Sequence, residues 1–113
     1  MNRKKLFSEI NKNMADLFGD KLKAIILYGS YAQNKQNKES DIDFLVLVDD
    51  TEENLRRNRY RIAEIMTKLS ITYDILVSIT EATYHQYREY SDILPFYSNI
   101  RKEGISIYEE QAS

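Results

Sequence analysis

The 113-residue chain contains no cysteine, which excludes a disulfide framework, a thiolate metal site and a thiol nucleophile. Its single histidine, His85, has no second histidine or cysteine to join it, and reads as a polar helix-surface residue rather than a metal ligand. No apolar run approaches the ~20 residues that span a bilayer. The longest, near Ala24 to Tyr28 and Phe44 to Val48, are short enough to be buried strands. The basic start at Arg3-Lys4-Lys5 lacks the apolar region of a signal peptide, because Ser8, Glu9, Asn11 and Lys12 interrupt it. A soluble, cytoplasmic protein is expected, without a membrane partner. An excess of one charge is missing too: 16 Lys+Arg against 18 Asp+Glu leave a net charge of -2, which argues against nucleic acid as a partner. Repeats and low-complexity linkers are absent, and the length suggests a single domain over residues 1–113.

What is present has the periodicities of a mixed fold. Leu6, Ile10, Met14 and Leu17 recur at helical spacing between Lys4 and Phe18, and Gly19 is placed to cap that helix. Leu22 to Leu27 reads as a buried strand ending in Gly29-Ser30. Ser30 to Asn34 can form a turn or two of helix, and the polar tract Gln33 to Ser40 reads as a surface loop. Asp41 to Val48 reads as a second strand, buried on both faces from Phe44 onward. Asp50 then suits an N-cap with Glu53 in the capping-box position, opening one helix through Leu55, Ile62, Ile65, Met66 and Leu69. Arg56, Arg57, Arg59 and Arg61 lie mostly on its solvated side. The alternation of Ile71, Tyr73, Ile75, Val77 and Ile79 predicts a third strand, with Asp74 inside it. Thr80 or Thr83 can cap a further helix, Pro95 starts a last one closed by Gly104, and Ile105 to Tyr108 forms a terminal strand before a frayed end over 109–113. The order argues an α/β (α+β) protein: a small mixed sheet with helices packed on it.

Chemistry concentrates between Tyr28 and Val48. Residues i and i+2 of a strand face one way, so Asp41 and Asp43 project together and repel unless a cation lies between them. Oxygen-only ligands suit magnesium or manganese. Asp74, if its strand neighbours the second and it points the same way, adds a third carboxylate, enough for two ions. Gly29-Ser30 lets the backbone approach an anion closely, most naturally a polyphosphate. Together these parts suit in-line nucleotidyl transfer from a nucleoside triphosphate to an acceptor hydroxyl.

Gly29-Ser30, ten intervening residues (Tyr31 to Ser40), Asp41-x-Asp43 and a later lone carboxylate, Asp74, resemble the signature of the DNA polymerase beta nucleotidyltransferase superfamily. The short chain and its Arg101-Lys102-Glu103-Gly104-Ile105 ending are similar to the minimal nucleotidyltransferase branch, the antitoxin of HEPN/MNT toxin–antitoxin pairs. The resemblance implies transfer of AMP from ATP to a tyrosine of a cognate HEPN ribonuclease toxin, in a hetero-oligomer with it. By the same resemblance Gly29 and Ser30 bind the nucleotide, Asp41 and Asp43 carry two magnesium ions, and Asp74 joins them at the catalytic metal. The chain departs from the family at Gln33-Asn34, where Arg-Gly is usual. The lost arginine removes a nucleotide contact, which Lys35 or Lys38 can replace, and the lost glycine predicts a differently shaped loop.

Two other functions stay open. A small-molecule nucleotidyltransferase of the aminoglycoside-inactivating kind uses the same chemistry, but with a helical domain for which this length leaves no room. A docking module that neutralises its toxin without catalysis draws its support from Gln33-Asn34. Tyr84, Tyr87, Tyr90 and Tyr97 read as half-buried packing residues or a docking surface, and Tyr31 either packs under the nucleotide or covers the sheet.

Overall fold

A computed structural model describes residues 1–110. Asn2 opens helix α1 (Arg3–Phe18) by accepting the Lys5 N–H at 3.1 Å, and Leu6, Ile10, Met14 and Phe18 form its buried stripe. Gly19 ends the helix at φ +56°, and a single 3-10 turn leads into β1 (Leu22–Tyr28). Strand β2 follows (Ile42–Val48), then helices α2 (Glu52–Arg57) and α3 (Arg59–Tyr73), strand β3 (Val77–Thr83), helices α4 (Tyr84–Tyr90) and α5 (Pro95–Glu103), and strand β4 (Ile105–Glu109).

The sheet order is β3-β2-β1-β4, with β2 and β3 parallel and β1 antiparallel to both its neighbours. The mixed sheet with packed helices is the architecture expected. A parallel pair needs a crossover, and α2 and α3 supply it. Along β2, Ile42, Phe44, Val46 and Val48 join the core made with α1 and α3, whereas Leu45 and Leu47 join a second one with Tyr97 and Ile100 of α5. Both faces are covered, so β2 is buried along its length except at Asp43.

Four sequence-based expectations fail for identifiable reasons. The helix after Asp50 is two helices. Asn58 turns its side-chain amide onto the Asn54 carbonyl at 3.0 Å and interrupts the ladder. Its N-cap is Thr51, whose hydroxyl accepts the Asn54 N–H, while Asp50 accepts from the Thr51 amide and the Asn54 side chain. Those bonds, with Lys21 beside it, hold the Asp50 carboxyl below its ordinary range.

The strand expected over 71–79 begins only at Val77, because α3 continues to Tyr73. Leu69 and Tyr73, four apart, extend the stripe of Ile62, Ile65 and Met66. The Tyr73 hydroxyl donates to Glu9 Oε2 at 2.7 Å, and Ile71 is left 77% exposed. Glu109 and Glu110 are ordered rather than frayed: Glu109 lies in β4, and Glu110 bonds the Lys23 carbonyl and pairs with its ammonium. The rest of the expected frayed end, 111–113, lies outside the described residues.

Gly104 closes α5 where a Cβ would meet the Ile100 carbonyl oxygen and Ile26 Cγ2, both at 2.5 Å. Gly104→Ala is therefore expected to cost about 1–3 kcal/mol, as overpacking does, read as a lowered denaturation midpoint.

Candidate active site

The chain turns at Gly29, whose φ of +75° lies in the left-handed region. Tyr28 pairs with Asp43 across the β1/β2 ladder, so the turn and the acid sit side by side at one end of the sheet. A Cβ on residue 29 would stand 2.6 Å from Asp43 Oδ2. Only glycine leaves the carboxylate its place.

Asp41 is exposed and just precedes β2; Asp43 is partly buried within it. Burial first, and the Asp41 charge second, push the Asp43 carboxyl above the ordinary aspartate range, with no donor or cation among the described residues offsetting them. Two acids in this condition form the donor set that a hard divalent cation relieves, and its oxygen-only chemistry fits magnesium or manganese. Among the described residues no group of three or more His, Cys, Asp or Glu is placed to hold a metal.

Asp74 stands outside the strand in which it was expected. It ends α3 in the left-handed conformation, φ 52° and ψ 45°, with its N–H on the Ser70 carbonyl. With Asp41 it lines an open recess of about 890 Å³ beside Tyr31, Lys38 and Leu76. The residue opposite Asp43 on β3 is Ser78. Thr80 follows on the same face, its Oγ1 3.5 Å from the Tyr28 hydroxyl. Sequence reasoning missed Ser78, Thr80 and Tyr28, although the alternation of β3 already set Ser78 and Thr80 on one face.

Ser30 opens no helix; residues 30–34 form a turn. The amides of Ala32 and Gln33 bond the Gly29 carbonyl, and that of Lys35 bonds the Ser30 carbonyl. Among the described residues the Ser30 and Tyr31 amides have no such partner, which leaves two N–H groups for an anion at Gly29. Asn34 takes φ +57°, the conformation glycine adopts freely and asparagine tolerates best among the rest. Asn34→Gly is expected to change stability by no more than about 0.5 kcal/mol, and Asn34→Val to cost about 1–2 kcal/mol, by thermal denaturation. Gln33, in place of the arginine, donates to Glu103 Oε2 and ties the turn to α5.

The remaining candidates have structural places. Tyr31 packs on the α1 side of the sheet with the Arg3 guanidinium 5.0 Å from its ring centre. His85 is exposed on α4 and pairs with Glu89. Tyr97 is buried, edge-on to Tyr87, whereas Tyr90 is 37% exposed. Arg57 and Arg59 pair with Glu53 and Glu81 on the surface. No helix among the described residues is long and apolar enough to cross a membrane.

A glycine turn facing an Asp-x-Asp pair at the end of a small mixed sheet defines a nucleotidyltransferase. The comparison with known families agrees: the chain belongs to the polymerase beta nucleotidyltransferase family, whose model matches residues 8–113. Among its relatives is "Putative protein adenylyltransferase MJ0604" of Methanocaldococcus jannaschii, 28% identical over 111 residues, covering 96% of this chain and all of that protein. "Putative protein adenylyltransferase MJ0141" of the same organism is 37% identical over 73 residues, 65% of this chain and 72% of that one. Protein adenylyltransferase MntA of Shewanella oneidensis is 33% identical over 81 residues, 72% of this chain and 51% of that one. Among solved structures, a toxin–antitoxin with AMP-PNP aligns with TM-score 0.63 and 30% identity over 93% of this chain and 74% of that one.

Proposed function

We propose that this chain is a metal-dependent, cytoplasmic antitoxin that transfers AMP from ATP to a tyrosine of a partner HEPN ribonuclease. The observation that carries this reading is the Asp43 carboxylate seated against Gly29, acid beside anion turn, with Asp41 next to it. Relatives named as protein adenylyltransferases, and a toxin–antitoxin neighbour with AMP-PNP, support the nucleotide and the partner.

Asp41 and Asp43 would hold the magnesium, and Asp74 shares a recess with Asp41. When bound, the metal screens the phosphates and lowers the pKa of the acceptor hydroxyl. The Ser30 and Tyr31 amides hold the outer phosphates. The acceptor oxygen attacks the α-phosphorus, the bond from that phosphorus to the bridging oxygen breaks, and pyrophosphate leaves. The phenolic proton passes to water or to a carboxylate of the pair.

The docking-only alternative drew on the Gln33-Asn34 departure, and the left-handed Asn34 weakens it. The test mixes the chain with labelled ATP, magnesium and a candidate HEPN partner. Label on a partner tyrosine, abolished by a chelator, is the expected result. Neutralisation of the toxin at full strength without ATP would support docking alone instead.

A further inference from the structure

A slot of about 190 Å³ opens between the end of β1 and α5, lined among others by Tyr28, Gly29, Gln33, Phe96, Asn99 and Glu103. It begins at the anion turn itself, since Gly29 is part of its wall. Phe96 is 45% exposed, yet its ring is held edge-on by Tyr28, with centroids 5.5 Å apart at 85°, and tilted against Tyr97 at the same separation. An aromatic fixed by two others, with much of its surface open to solvent, is a preset stacking surface. Asn99 follows three residues on, one helical turn along, so both reach the same slot. Its carboxamide offers a donor and an acceptor side by side.

We propose that this slot receives the nucleobase of the nucleoside triphosphate, with Phe96 stacking on its face and Asn99 bonding its edge. Adenine, with N6–H beside N7, presents an adjacent donor and acceptor that a carboxamide can meet together. The inference deepens the transferase reading and rests on its use of a nucleotide. A phenol ring of the acceptor is the rival occupant of an aromatic slot this size. The rim favours a base: Gln33 and Glu103 bond each other, and Asn99 presents a donor and an acceptor on separate atoms, as a base edge does and a single phenol hydroxyl does not. Tyr28 contributes its ring rather than its hydroxyl, which lies nearest Thr80.

The test measures binding of ATP and inorganic tripolyphosphate to the full chain, each with magnesium, by calorimetry. Phe96→Ala is expected to weaken ATP about tenfold, the usual worth of one stacked base, and to leave tripolyphosphate unchanged. Phe96→Tyr keeps a ring and retains ATP binding, which separates stacking from any loss of folding. Asn99→Leu is expected to weaken ATP and to leave tripolyphosphate unchanged. ATP binding at wild-type strength in both Phe96→Ala and Asn99→Leu would overturn the assignment. So would a Phe96→Ala chain that binds ATP normally but no longer modifies its partner, because the slot then belongs to the acceptor. If the wild-type chain binds tripolyphosphate and not ATP, the base slot fails while the phosphate turn stands; if it binds neither, the nucleotide reading falls with it.

Discussion

Asp43→Asn is expected to reduce nucleotidyl transfer by about a thousandfold or more while making the metal-free protein more stable at neutral pH. The two effects have one cause. Asp43 is partly buried, has no ion-pair partner among the described residues and feels the Asp41 charge, so its ionised form is held in the fold against desolvation and repulsion. A cation that repays this cost is worth several kcal/mol of charge stabilisation, and about 4 kcal/mol corresponds to a thousandfold in rate. Without the cation the cost falls on stability. Because the folded-state pKa lies above the unfolded one, the penalty is absent below the ordinary aspartate value and grows as pH rises through the raised one. The stability advantage of Asp43→Asn should thus be full at neutral pH and vanish on acidification. Adding magnesium should reverse the order. A ligand at a hundred times its dissociation constant adds about 2.7 kcal/mol to the wild type, and little to a variant that has lost a ligating carboxylate. A thermal shift with magnesium that is equal in the two proteins would mean that Asp43 holds no metal.

Most of this arrangement was readable in the sequence because it depends on short-range pattern. The spacing of Leu6, Ile10 and Met14, the apolar run from Phe44, and the glycine at the end of β1 each carry one interpretation at their own scale. Asp41 and Asp43 were legible as near neighbours in sequence, although Asp41 lies just outside the strand expected to hold both. Asp74 was not. Its segment satisfies a period of two and a period of 3.6 at once, and the choice was made by contacts distant in sequence: Tyr73 with Glu9, and the Val77 amide with the Ser70 hydroxyl. The third carboxylate depended on strand pairing that no local pattern records. At Gln33-Asn34 the asparagine takes a backbone angle that glycine adopts freely and asparagine tolerates best among the rest.

Gly29→Ala is expected to be the second most damaging change, lowering transfer about a hundredfold and stability by roughly 1–3 kcal/mol. Two separate penalties contribute, and a second substitution can part them. The first is backbone strain: at φ +75° a residue with a side chain costs about 1–2 kcal/mol whatever surrounds it. The second is contact with Asp43 Oδ2 at 2.6 Å, which no carboxylate tolerates, so Asp43 must swing away from the position it shares with Asp41. A displacement near 1 Å at a reacting centre costs about a hundredfold in rate. Asp43→Ala removes the clashing atoms and leaves the strain. In a double-mutant cycle on stability, Gly29→Ala should therefore cost less in the Asp43→Ala background than in the wild type, the difference measuring the contact alone. Equal costs in both backgrounds would mean that strain is the whole effect and that the turn shapes the backbone without holding the acid in place. Unequal costs, together with lost activity in Gly29→Ala, would make residue 29 the spacer that sets where the carboxylate stands.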